Sequence, residues 1–179
     1  MSTPIIGAIN GAAVGVGITL PLQWDIRIAA EDAKLGFIFN RRGVMPEAGS
    51  LWFLPRLIGA ARAMELFLTG KIITGAEAAE IGLVAQAVPA AEVLPAALEL
   101  ADQIATETAP MSAALTKKLL YRLMNESDPS RVVGLDGPIF QWVGQQEDAV
   151  EGITAFLEKR PPEWKLKKND LPPSDLWDF

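Results

Sequence analysis

The chain carries no histidine and no cysteine. Proton transfer must therefore fall to Asp, Glu, Lys or the one tyrosine. The same absence removes thiol nucleophiles, disulfides, Ser-His and Cys-His dyads, and imidazole or thiolate metal sites, so no metal centre is expected. One carboxylate stands out by its setting. Glu47, in "RRGVMPEAGSLW", follows a proline and precedes a small-residue run, with Phe37 and Phe39 upstream and Trp52 and Phe53 downstream. A glutamate one place after proline is a favoured first-turn helix residue, normally solvated. The flanks Val44, Met45, Leu51 and Trp52 point the other way, because apolar surroundings disfavour a carboxylate's charged form and suit it to general-base work. From these residues alone both readings stand.

A second group capable of chemistry is the glycine turn "NGAAVGVGI", with Gly11, Gly15 and Gly17. Free N–H groups where a strand gives way to a helix can hold developing negative charge, and those near Val16 would form an oxyanion hole. The spacing is neither the dinucleotide G-x-G-x-x-G nor a P-loop, and a tight turn whose glycines serve packing explains it equally well. Arg41, Arg42 and Lys34 read as phosphate contacts or as a solvated face, and Lys117-Lys118 as helix surface.

The elements that must position these groups follow from periodicity. A short apolar strand is expected over Ile5 to Ile9, then the glycine turn, then a helix over Ile18 to Gln23 with Pro21 tolerated in its first turn. "DIRIAAE" alternates as a strand, and "LGFIF" is a further short strand or edge. From Pro46 the pattern turns helical and is expected to stop near Pro55. "AARAMELFLTG" is a helix closed by Gly70. Thr74 to Glu77 forms a capping box for a helix ending at Gly82, and "LVAQAVP" is a last strand. Helices are then expected over Pro95 to Thr106, Pro110 to Met124 and Asp148 to Lys159. In "SRVVGLDGPIFQW" the helical period competes with Gly134, Gly137 and Pro138. These elements give three segments: a sheet-containing core over 1–94, a helical region over 95–163, and an extended tail over 164–179.

The 179 residues are 50% hydrophobic, enough for a core of one domain. A net charge of −6 argues against a nucleic-acid partner. No apolar run is long enough to cross a bilayer, and the N-terminus lacks a basic region before its apolar stretch, so no membrane partner and a cytoplasmic location are expected. The helices after Pro95 carry more apolar positions than a half-sheet can cover, which predicts burial against other subunits.

Taken together, "PIIGAINGAAVGVGITLPLQWDIRIAAEDAKLGF", "GVMPEAGSLWFLPRLIGAARAMELFLTGKIITGAEAAEIGLVAQAVP" and "DAVEGITAFLEKRPP" resemble the crotonase superfamily, the enoyl-CoA hydratase/isomerase family. The resemblance implies an α/β fold, a crotonase-like ββα spiral followed by a C-terminal helical oligomerisation region, assembled as a homo-oligomer, a trimer or hexamer. The family's first strands precede "PIIGAING", so the chain is expected to begin inside that spiral. Substrates would be acyl-CoA thioesters, with coenzyme A part of the substrate and no separate cofactor. The resemblance places an oxyanion N–H on Val16 beside Gly15, and puts Thr19 and Phe39 where hydratases carry their two glutamates. It makes Glu47, set as in the peroxisomal-type Δ3,Δ2-enoyl-CoA isomerases, the acid that moves a proton between C2 and C4. Phe39 and Trp52 would line the acyl site, Gly15 and Gly43 would be further substrate contacts, and Phe156 and Lys159, of the same or a neighbouring subunit, would meet the coenzyme A moiety. The implied activity is an enoyl-CoA isomerase. A hydratase using Glu47 and a water, and a non-catalytic or truncated CoA-thioester-binding trimer, are the alternatives.

Overall fold

The computed structural model describes residues 2–173 and Leu176. Two compact units are present, Ile5–Ala101 and Met1–Pro4 with Asp102–Phe179, the division falling within a helix.

The first unit is built on two small sheets. Strand β1 (Ile6–Ile9) pairs in parallel with β3 (Ile26–Ala30), which pairs in parallel with β6 (Gln86–Val88). In the second sheet β2 (Ala13–Val14) lies parallel to β4 (Leu35–Gly36), and β4 is antiparallel to β5 (Ile72–Ile73). Strand β3 does not keep the half-exposed alternation its sequence suggests. Arg27 through Ala30 are all buried, as expected of a central strand covered on both faces. Arg27 is accommodated because its guanidinium donates to three carbonyls: Leu83 at 2.9 Å, Trp24 at 2.6 Å and Pro21 at 3.2 Å. The expected helix over 18–23 starts earlier, as α1 (Val16–Thr19), and runs into a 3₁₀ helix over Leu20–Gln23.

Helix α2 (Ser50–Ile58) departs from expectation at both ends. It begins three residues after Glu47, because Ala48 and Gly49 take left-handed conformations with φ of 51° and 71°. Glu47 is thus a loop residue and not a first-turn helix residue. The helix also passes through Pro55. The carbonyl that loses its donor there belongs to Leu51, an exposed residue at 51%, so water can satisfy it. Helix α3 (Ala60–Thr69) ends at Gly70 in the left-handed conformation, and α4 (Gly75–Glu80) carries the full Thr74–Glu77 capping box. Ile18, Leu22, Ile28, Leu35, Phe37, Leu54 and Leu83 are almost fully buried among these elements. Each such side chain contributes about 1.5–3 kcal/mol relative to exposure. Phe37 meets Phe67 edge-on at 5.5 Å. Helix α5 (Val93–Glu107) packs Val93 and Ala97 into the same core.

The second unit contains α6 (Pro110–Leu123), α7 (Pro129–Gly144) and α8 (Glu147–Glu158), with Met111, Leu115 and Ile139 buried together. Helix α7 continues through Gly134, Gly137 and Pro138, since Asp128 caps its start and the packing of Ile139 holds its middle. After α8 the chain has no helix or strand over 161–173. Of the tail expected to be extended, 174, 175 and 177–179 lie outside the described residues. Buried Asp148 accepts the N–H groups of Lys165 at 2.8 Å and Leu166 at 3.3 Å, tying this segment to α8.

Glu151 is held more firmly still. Arg160 binds it through both Nη atoms at 2.6 and 3.0 Å, and the Glu163 N–H donates at 2.7 Å. Those bonds, the guanidinium first, hold its carboxyl down at about 2 against an ordinary 4.5. A carboxylate depressed in the folded state contributes stability above its ordinary value, and the contribution is lost as pH falls through the folded one. Acid unfolding followed by circular dichroism should therefore show a stability loss between pH 4.5 and about 2 that Glu151→Gln diminishes. The same pH dependence in wild type and variant would refute this.

Candidate functional site

The glycine turn is built around Gly15, whose φ of 61° and ψ of −126° are closed to residues with a side chain. Its N–H donates to Gly36 at 3.0 Å, and its carbonyl accepts from Ile18 and Thr19 at 3.1 Å. That arrangement starts α1 at Val16 and leaves the Val16 N–H at the open first turn, on a residue 56% exposed. Helix α1 has only four residues, so the resource here is the individual N–H groups and not a macrodipole.

Thr19, at the end of α1, is fully buried, and its hydroxyl donates to Glu47 Oε1 at 2.6 Å. A contact from the same oxygen to the Val16 carbonyl is 3.5 Å. A hydroxyl has one proton, and the shorter, charge-assisted bond takes it. One hydrogen bond thus joins the helix that starts at Val16 to the carboxylate. Glu47 Oε2 has no hydrogen-bond partner among the described residues. The apolar surround expected of Glu47 is not supplied: Val44 and Met45 are 57% and 67% exposed, and Glu47 itself is exposed.

Phe39 is half-buried, and its ring tip lies 4.0 Å from where a Cβ on Gly15 would be. The aromatic side chain therefore stands beside the glycine turn. Gly43 closes a 3₁₀ turn over Asn40–Arg42 in a left-handed conformation. Trp52, half-buried on α2, meets Phe53 edge-on at 4.7 Å and carries the Arg56 guanidinium 3.9 Å above its ring. Arg41 donates to the Thr69 carbonyl at the end of α3. Phe156 and Lys159 belong to the other unit. Phe156 is 81% exposed on α8, and Lys159 caps that helix in a left-handed conformation. No cluster of Asp or Glu side chains suited to a metal ion occurs among the described residues, and no helix among them is long and apolar enough to cross a membrane.

The residue that sequence reasoning undervalued is Thr19, read only as an acid's absence. Its hydroxyl is the group that reaches Glu47. Gln23 was missed as well: its Nε2 donates to the Ala48 carbonyl at 3.0 Å. No spacing in the sequence marked the pair, because Thr19 ends α1 and Gln23 ends the 3₁₀ turn that follows it.

Known proteins share this arrangement of elements. The family model for enoyl-CoA hydratase/isomerase matches residues 1–167. An enoyl-CoA hydratase of Alternaria alternata is 43% identical over 163 residues, 90% of this chain and 54% of that protein. The 1,2-epoxyphenylacetyl-CoA isomerase of Escherichia coli strain K12 is 36% identical over 172 residues, 92% of this chain and 62% of that protein. The crystal structure of an enoyl-CoA hydratase from Bacillus anthracis superposes with a TM-score of 0.86 at 39% identity, over 92% of this chain and 63% of that one. The chain thus spans between about half and two thirds of the length of these relatives. A match over nearly all of its residues, with a shared fold, makes the chain a member of the enoyl-CoA hydratase/isomerase family.

Proposed function

We propose that the chain serves as an enoyl-CoA double-bond isomerase in which Glu47 is the one proton carrier. The observation that carries this reading is the Thr19–Glu47 pair. A hydroxyl that cannot ionise at neutral pH stands where the resemblance puts a hydratase acid, and it binds an exposed carboxylate on the neighbouring loop. In the reaction Glu47 takes the proton at C2, alpha to the thioester. The electron pair left behind delocalises onto the thioester oxygen, which the Val16 N–H receives. Reprotonation at C4 by the same carboxyl group completes the shift of the double bond from C3–C4 to C2–C3. Phe39 and Trp52 form the acyl side of the site in this reading, with Gly15 and Gly43 as further substrate contacts. The exposed apolar side chains of α7 and α8, among them Val133, Phe140, Ile153 and Phe156, support a homo-oligomer, a trimer or a multiple of one.

Hydration by Glu47 and a water is the second reading. The solvent exposure of Glu47 and the likeness to the Alternaria enoyl-CoA hydratase favour it. Assaying isomerisation and hydration of one acyl-CoA separates the two. Phe39→Glu adds a second acid beside the glycine turn and admits water, so it should raise hydration relative to isomerisation. An unchanged ratio would remove Phe39 from the acyl site.

A further inference from the structure

We propose that Thr19 and Gln23 are paired positioning residues that clamp the loop bearing Glu47, so that carboxylate oxygen Oε1 is held and Oε2 is the oxygen offered to the substrate. The inference rests on the assignment of Glu47 as the proton carrier and adds how that acid is aimed. The loop has an uncommon backbone. Ala48 has φ 51° and Gly49 has φ 71°, two successive left-handed residues, the first with a Cβ that this conformation crowds. Such a turn persists only when its surroundings fix it. Within the loop itself, the Ser50 N–H bonds the Glu47 carbonyl at 3.0 Å. From outside, Thr19 donates to the Glu47 carboxylate at 2.6 Å and Gln23 to the Ala48 carbonyl at 3.0 Å. These two donors grip adjacent residues from positions four apart on the segment that begins at Val16.

The two grips differ in character. Thr19 is fully buried and its own N–H is fixed to the Gly15 carbonyl at 3.1 Å. Its hydroxyl is therefore a rigid donor, and a donor to a carboxylate is the stronger kind of hydrogen bond. Gln23 is exposed, so its bond competes with water and its effect is smaller. Because the segment that fixes the Val16 N–H also fixes Glu47, the oxyanion donor and the base are held on one frame. Placement of this kind acts on the chemical step more than on binding.

The test uses Thr19→Val, which keeps shape and removes the donor, Thr19→Ser, which keeps the donor, and Gln23→Leu. Thr19→Val should lower kcat about 10–100-fold with KM changed by less than about 3-fold, while Thr19→Ser stays near wild type. Gln23→Leu should lower kcat about 3–10-fold. In a Glu47→Gln background Thr19→Val should cost nothing further, since the aim of a dead base is irrelevant. Crystal structures supply a readout free of activity. The Glu47 carboxylate should leave its place in Thr19→Val and keep it in Thr19→Ser. Wild-type kcat in Thr19→Val, an undisturbed Glu47 in its crystal structure, or an equal loss in the Glu47→Gln background would each overturn Thr19's role. Wild-type kcat in Gln23→Leu would overturn the pairing. Full activity in Glu47→Gln alone would overturn the assignment of the base instead, and the crystal structures would still decide whether the clamp exists.

Discussion

Replacing Glu47 by glutamine is expected to lower kcat for double-bond isomerisation by at least about 100-fold, the low end of what a general base contributes, with KM for the acyl-CoA nearly unchanged. Glutamine keeps the size of the side chain, and its amide oxygen can still accept from the Thr19 hydroxyl, which lies 2.6 Å from Oε1. The loop and its left-handed Ala48 are therefore preserved, and what is lost is only the capacity to take a proton. No histidine or cysteine exists in the sequence to assume the role. Thr19 and Phe39, at the positions the resemblance gives to hydratase acids, cannot do so either. Steady-state kinetics with purified wild type and variant, alongside thermal unfolding to show equal stability, would check the result. Near-full isomerase and hydratase activity in Glu47→Gln would make Glu47 a loop anchor held by Thr19, with no part in the chemistry.

The expectations that held share a physical basis: each rested on a local interaction. The Thr74–Glu77 capping box needs only four residues, and both of its hydrogen bonds form, at 3.1 and 2.7 Å. Gly70 ends α3 because a left-handed stop needs no tertiary partner. Where expectation failed, the deciding contacts were distant in sequence. Arg27 looked like the polar side of an alternating strand, but the Leu83 carbonyl, 56 residues on, receives it in the interior at 2.9 Å. Strand β5, only Ile72 and Ile73, exists because Leu35 and Gly36 pair with it, and a two-residue strand has no period to read. In helix α7 the glycines and proline left the helical period ambiguous, and the packing that holds the helix, Ile139 with Met111 and Leu115, is distant in sequence. At the candidate site, Glu47 could be singled out because its flanks were unusual. The bond from Thr19 could not, because it joins residues 28 apart and depends on how α1 faces the loop.

Alanine at Gly75 should be among the most damaging single substitutions in the first unit. Gly75 opens α4 directly after its cap Thr74. A Cβ built there would lie 1.9 Å from the Ala30 carbonyl oxygen and 2.9 Å from the carbonyl carbon. Both are backbone atoms at the end of β3, so no rotamer change relieves the overlap. Nor can the two elements simply part. The Ala76 N–H donates to the Glu31 carbonyl at 3.0 Å, the Glu31 N–H donates to Val88 at 2.9 Å, and the Ala33 N–H donates to Ala30 itself at 3.0 Å. Moving α4 outward would break its bond to the strand end and uncover Ala78, which is fully buried. Glycine-to-alanine changes at compatible helix positions stabilise by about 0.4–1 kcal/mol, through the unfolded chain. Overpacking a tight contact costs about 1–3 kcal/mol and sometimes more. The two effects have opposite signs, so the direction of the change identifies which one governs. We expect destabilisation at or beyond the upper end of that overpacking range, seen as a large fall in the denaturation midpoint with little change in the m-value. A neutral or stabilising Gly75→Ala would mean that β3 and α4 are not in this close contact.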